Sequence, residues 1–269
     1  MITLQIIYEK TRHPKDTKIM NMQRKEKFLE LWSTYFGKSE LPIVFYYCYD
    51  IQQSKLVTKA KGRSCIICEL SKVRNGESLA YAENSIACGG AKRYLGYTET
   101  VRPNFEYFLS CGIPDKMEGE RYIRTPEMVL ELQKHQKTIK DAKGNFIIFK
   151  RWDMLEEADE PAVIIFFANP DVLSGLFTLA NFDQTEPNST FTPFGAGCGS
   201  IVHYPYLEKD AERPRAVIGM FDPSARPCVG KDILSFAVPM IKFEKMIDNM
   251  EESFLITGTW KTIRKRINS

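Results

Sequence analysis

Apolar positions recur at helical spacing over residues 23–36, where Phe28, Leu31, Trp32, Tyr35 and Phe36 share a face. The run stops at Gly37, a residue type suited to ending a helix. The period then changes. Leu41 to Tyr49 is β-branched and aromatic with little polarity, the pattern of a mostly buried strand. Ser64 predicts the cap of a short helix holding Cys65, Ile66, Ile67, Cys68, Leu70 and Val73, stopped near Asn75-Gly76. Residues 79–87 read as strand, 89–95 as a short helix and 105–110 as another.

Thr125-Pro126-Glu127 supplies a cap, a proline in the first turn and an acid beside it. A helix is therefore expected through Met128, Leu130 and Leu132 to Lys134. Residues 145–152 and 162–168 read as strands. Asn169-Pro170-Asp171 opens a helix with Val172, Leu173, Leu176, Phe177 and Leu179. Gly195 to Gly199 follows a Ser/Thr/Pro loop and opens the next one. Strands at 215–221 and 233–238, a helix at 239–250 and a short helix at 259–267 complete the chain. This order alternates too irregularly for a doubly wound parallel sheet. The fold class expected is α+β, a mixed β-sheet with helices packed on it. Pro42-Ile-Val-Phe and Pro161-Ala-Val-Ile-Ile-Phe-Phe each lead on to a Cys-Gly turn and a helix, which suggests two pseudo-repeated halves.

Composition narrows the class. With 269 residues and 43% of them apolar, the chain can bury one sizeable core, expected over residues 23–269. Residues 1–22 read as a weakly ordered N-terminal extension, such as a start codon placed too far upstream would add. Their apolar patch, Ile2 to Tyr8, precedes Lys10, Arg12, His13 and Lys15, the reverse of a secretory signal. No run of about 18 apolar residues is present, so no membrane partner is expected. The 37 basic and 34 acidic residues give a formal +3 and are dispersed, so no nucleic acid is expected either. The basic end, Lys261 to Arg266, suits the C-terminal end of a helix dipole. Seven cysteines, an odd number in a large chain, point to a cytosolic protein with reduced thiols. Homo-oligomerisation is left open. Glu156 to Glu160 reads as a solvated acidic run, and no carboxylate pair stands out for acid–base work.

The candidate chemistry lies in three short motifs. Cys65-x-x-Cys68 places two sulfurs about one helical turn apart. Structural zinc would need a second matched pair, whereas an iron–sulfur cluster tolerates varied spacing. Cys65, Cys68, Cys88 and Cys198 could supply its four thiolates; buried, inert thiols are the plainer alternative. Cys88-Gly89-Gly90 opens a helix with Lys92 and Arg93 in its first turn, a setting for phosphate or carboxylate. Gly197-Cys198-Gly199-Ser200 is similar, with His203 one turn on. Arg226, held in Asp222-Pro-Ser-Ala-Arg-Pro, could clamp an anion or simply lock its own turn. Cys198 and His203 would point apart on one helix, which argues against a nucleophile–base pair. The leading expectation is a small anionic ligand or cofactor bound by Gly89, Gly90, Arg93, Gly197, Gly199, Ser200 and Arg226. A thiolate-metal or iron–sulfur protein and a non-catalytic interaction module are the alternatives.

At these residues the chain resembles the uncharacterised family catalogued as domain of unknown function 169. The resemblance rests on Cys65-x-x-Cys68 with Arg74-Asn75-Gly76, on Cys88-Gly-Gly with Tyr94-Leu95-Gly96, and on Gly197-Cys198-Gly199. Gly219 to Arg226 and Ser253 to Trp260 add to it. It covers roughly Leu41 to the C-terminus and implies a soluble bacterial or archaeal protein. It carries no activity.

Overall fold

Alternation along the central strands sorts the apolar side chains onto two faces of one sheet. A computed structural model describes residues 14–58, 65–139 and 144–269, with side chains of the first stretch from residue 22 onward. The described strands are β1 (Ile43–Cys48), β2 (Lys55–Leu56), β3 (Leu79–Tyr81), β4 (Phe146–Arg151), β5 (Val163–Ala168), β6 (Thr190–Phe191), β7 (Ala216–Gly219) and β8 (Leu234–Pro239). They form an eight-stranded mixed sheet in the order β2-β3-β4-β1-β5-β8-β7-β6. Val44, Tyr46, Ile148, Ile164, Phe166, Phe236 and Val238 face one side. Their neighbours Ile43, Phe45, Ile147, Phe149, Val163, Ile165 and Ala237 face the other. Both sides are covered, which makes three layers.

The first face carries α1 (Pro14–Phe36), α6 (Pro170–Asn181), α8 (Met240–Asn249) and α9 (Gly258–Ile267). The expected boundary at residue 22 falls inside α1, and residues 1–13 lie outside the described residues. Phe28, Trp32, Phe36, Trp152, Phe166, Phe243 and Trp260 make a ring-on-ring core here, with Trp32 stacked on Phe36 at 4.2 Å between centroids. Each tryptophan N–H finds a main-chain oxygen: Trp32 on Ser39, Trp152 on Lys25 and Trp260 on Tyr35. Burying these rings therefore leaves no polar orphan on them. The Asn169 side chain caps α6 by accepting from Val172 N–H at 3.0 Å, with Pro170 behind it, as the sequence predicts.

The second face carries α2 (Ile66–Arg74), α3 (Gly89–Tyr94) and α7 (Tyr204–Glu208), the last preceded by a π-helical turn, Gly199–His203. Two short helices, α4 (Phe105–Leu109) and α5 (Pro126–His135), form an excursion between β3 and β4. Thr125 caps α5 as expected, accepting from Met128 N–H. Ser64 lies outside the described residues, and the N-cap of α2 is Cys65.

Outward from the central antiparallel β1–β5 pair, the two sides of the sheet pair in the same senses. Each runs antiparallel, antiparallel, then parallel to its edge. The pseudo-repeat expectation that set Cys88 against Cys198 is not confirmed. In this topology the helical crossover holding Cys198, between β6 and β7, occupies the place of the β2–β3 crossover that holds Cys65.

One acidic expectation is overturned. Asp159, inside the supposedly solvated run, is only 3% exposed. It accepts two hydrogen bonds from the buried ammonium of Lys150, at 2.9 and 3.0 Å, plus bonds from the Tyr46 hydroxyl and the Glu156 N–H. The buried lysine on β4 draws the carboxylate in, because a buried ammonium requires an anionic partner.

Candidate functional site

The two Cys-Gly turns meet on the second face. α3 packs against the π-helical turn, and the Tyr94 ring of α3 lies edge-on to His203 with centroids 5.2 Å apart. Gly199 suits this approach, since a Cβ there would stand 3.0 Å from the Tyr94 ring and push it back by a few tenths of an ångström. Gly197 is closely packed in the same way, with Ala225 Cβ at 3.0 Å and Met220 Sδ at 3.3 Å from an added Cβ. These two glycines therefore serve packing.

Gly89 and Gly90 differ. A Cβ at Gly89 would meet nothing within 4 Å, and one at Gly90 would meet only Cys88 Sγ at 3.8 Å. Neither has a positive φ. Nothing in the fold demands glycine there, so the backbone beside Cys88 lies bare toward open space.

Three free thiols stand at helix starts around this junction, with Cys65 and Cys198 each within electrostatic reach of Cys88. Cys65 is the N-cap of α2, Cys88 is the N-cap of α3, and Cys198 directly precedes the π-helical turn. Such turns are over-represented at functional sites. Burial raises the Cys198 thiol well above its usual range, and the nearby Cys88, Cys65 and Asp222 raise it further. Cys65 is also raised, first by burial and then by Cys88 and Asp222, while the N–H groups of Ile67 and Cys68 pull the other way. They face the Cys65 sulfur without closing a cap hydrogen bond. Exposure grades across the set: Cys88 is exposed, Cys65 intermediate and Cys198 buried.

Asp222 completes the group. Its carboxylate accepts from Gly197 N–H at 3.0 Å and from the Ser224 N–H and hydroxyl. The helix-start amide that an anion would seek is thus occupied by the protein's own carboxylate. Met220, two residues before it, holds a left-handed φ of 69°, uncommon without glycine, and so turns the chain out of β7 toward the thiols.

The other expected anion donors are engaged as well. The Arg226 guanidinium donates to the carbonyls of Met220, Gly230, Lys231 and Ile233, which makes it the lock of its turn. Ser200 is buried, donates to the Gly197 carbonyl and accepts from Met220 N–H. Arg93 donates to the Glu99 carbonyl. Cys68 is not a free thiol; it is disulfide-bonded to Cys228 in the turn Arg226–Cys228. His203 is buried and neither ring nitrogen makes a well-formed hydrogen bond. Desolvation lowers its pKa against the nearby Lys137 and Tyr94 carbonyls, which work the other way. The His203 ring packs against Tyr94 and Tyr204, and among the described residues it has no thiol partner that would make an activated nucleophile.

A cavity of about 370 Å³ opens alongside. Its wall includes Ile66 and Ala87, the chain neighbours of Cys65 and Cys88, together with Glu69, Lys72, Tyr81 and Ser85. Sequence reasoning did not find it, because the edge strand β2 that bounds it is two residues long and carries no periodic signal.

Among the described residues, no helix is long and apolar enough to cross a membrane. Residues 35–249 match the profile of the domain of unknown function 169 family, described as uncharacterised ArCR. No curated protein and no solved structure matches the chain.

Proposed function

The chain belongs to the domain of unknown function 169 family, and from there we propose that it binds a cofactor through the thiolates of Cys65, Cys88 and Cys198. The class that suits this donor set best is an iron–sulfur cluster. One observation carries the reading: the free thiols of Cys65 and Cys198 both lie within electrostatic reach of Cys88 and of the Asp222 carboxylate. Soft sulfur donors select iron–sulfur clusters and other thiophilic metals. Cationic helix starts and nearby N–H groups offset the negative charge of such a group. Metal binding would also expel the thiol protons that burial retains on Cys65 and Cys198.

Among the described residues, no three His, Cys, Asp or Glu side chains lie close enough to hold a single ion. Two features weigh against a small anion, since Asp222 sits on the helix-start amide and Arg226 is spent on carbonyls. The bare backbone at Gly89 and the adjoining cavity favour a second reading, a small molecule seated against the Cys88 turn.

Reconstitution with ferrous iron and sulfide without oxygen tests the first reading. Visible absorbance with matching iron and sulfide content is expected in the parent. It should be lost in Cys65→Ser, Cys88→Ser and Cys198→Ser and kept in Cys111→Ser. A colourless, iron-free parent refutes it. Native mass spectrometry of the same protein would report a small molecule by its mass.

A further inference from the structure

We propose that Cys65, Cys68 and Cys228 form a thiol–disulfide exchange set, in which the Cys65 sulfur displaces Cys228 from Cys68. The existing disulfide joins α2 to the turn Arg226–Cys228 across a sequence separation of 160. A free, half-exposed thiol stands three residues before it, at the N-cap of the same helix. Cys68 N–H is bonded to the Cys65 carbonyl at 3.1 Å, so the two residues bracket one tight turn. Disulfides hold their Cβ atoms about 3.5–4.5 Å apart, closer than the about 5–6 Å of helical residues three apart. A Cys65–Cys68 bond therefore requires the first turn of α2 to rearrange, and Cys65, an N-cap in extended backbone outside the helix, is the residue that can move.

The step balances within the chain. Cys65 gives up its proton to solvent, and its sulfur bonds to Cys68 Sγ. The Cys68–Cys228 bond breaks, its electron pair leaves on the Cys228 sulfur, and that sulfur takes up a proton. One disulfide and one thiol exist before and after, so no oxidant or reductant is consumed.

Two consequences follow from where the residues sit. Releasing Cys228 unties from α2 the turn that Arg226 locks and that follows the Asp222 loop. Tying Cys65 to Cys68 also withdraws one of the three thiols assigned to the cofactor; this second consequence alone rests on the cofactor reading.

Disulfide mapping of metal-free, full-length protein tests the exchange. The parent would be equilibrated in glutathione buffers, quenched in acid, alkylated and analysed by mass spectrometry. Both Cys68–Cys228 and Cys65–Cys68 peptides are expected from the parent. Cys228→Ser should lose alkylation at Cys65 and Cys68 together on oxidation. Cys65→Ser/Cys228→Ser should instead hold Cys68 as a mixed disulfide with glutathione. Absence of the Cys65–Cys68 peptide from the parent at every buffer ratio overturns the proposal. So does a Cys228→Ser protein whose Cys65 stays free while Cys68 takes up glutathione. The parent measurement needs no variant to fold. Because no metal is added, an exchange that fails leaves the cofactor reading to its own assay, and the reverse also holds.

Discussion

Replacing Lys150 with methionine should unpin the loop after β4. The lysine side chain is 2% exposed and that of Asp159 is 1% exposed, so the ion pair has almost no water to fall back on. Methionine preserves the apolar stem but strands a buried carboxylate without its cation. Removing one partner of a buried pair costs about 3–5 kcal/mol. Tyr46 and Glu156 still donate to Asp159, which places the expected loss near the lower bound, about 3 kcal/mol. For 269 residues the unfolding entropy makes that roughly 5 °C in Tm. Urea denaturation followed by tryptophan fluorescence measures it, with Trp152 two residues away as a reporter. Lys150→Met/Asp159→Leu should recover most of the loss, since the Tyr46 hydroxyl keeps Gln52 Oε1 as its acceptor at 3.0 Å. A single variant that loses less than about 1 kcal/mol would refute the argument, because the pair would then be no better than a surface bridge. A double variant no better than the single would refute it too.

Gly219→Ala places a methyl group 2.1 Å from Ser200 Oγ and 2.2 Å from its Cβ. It should cost about 1–3 kcal/mol by pushing on the π-helical turn, and Ser200→Gly in the same chain should restore part of that. Strictly additive losses in a denaturation cycle would contradict the contact. His203 should make stability depend on pH. Its folded pKa lies below the usual 6.5, so the unfolded chain binds the extra proton. The stability it contributes is present above about pH 6.5 and is lost as pH falls through the folded value. Urea midpoints between about pH 7 and pH 5 should decline less steeply in His203→Gln, and equal slopes would exclude this histidine as the cause.

Much of the secondary structure was legible because it is written in local chemistry. Thr125-Pro126 and Asn169-Pro170 mark helix starts that depend on side chains within three residues. The strand at Val163–Ala168 announces itself by being apolar throughout, as a strand covered on both faces must be. What escaped depends on distant partners. The two-residue strands β2 and β6 exist only through the neighbours they pair with. Asp159 is drawn inward by a lysine nine residues earlier, a relation invisible in a run of acids.

At the site, sequence located the turns but misassigned several duties. Glycine at 197 and 199 marks close packing against Ala225 and Tyr94, whereas glycine at 89 and 90 borders open space. One letter serves both purposes, and only the surroundings separate them. Cys228 carried no signal at all, since neither a motif nor a spacing links it to Cys68. Arg226 was counted among the anion donors with a turn lock as its alternative, and four main-chain carbonyls now occupy its guanidinium.

The short outer strands bear on how this molecule fails. An open sheet leaves unpaired amides and carbonyls along both borders, an invitation to templated growth by another copy. Here each border is two residues long, and Lys55 puts an exposed charge on one of them. A passing strand finds too few consecutive groups to register against. The segments most apt to stack into fibrils, Ile43–Cys48 and Val163–Ala168, lie side by side at the centre of the sheet. They become available only when the sheet opens as a whole, so aggregation should be governed by global unfolding and not by encounters between native molecules.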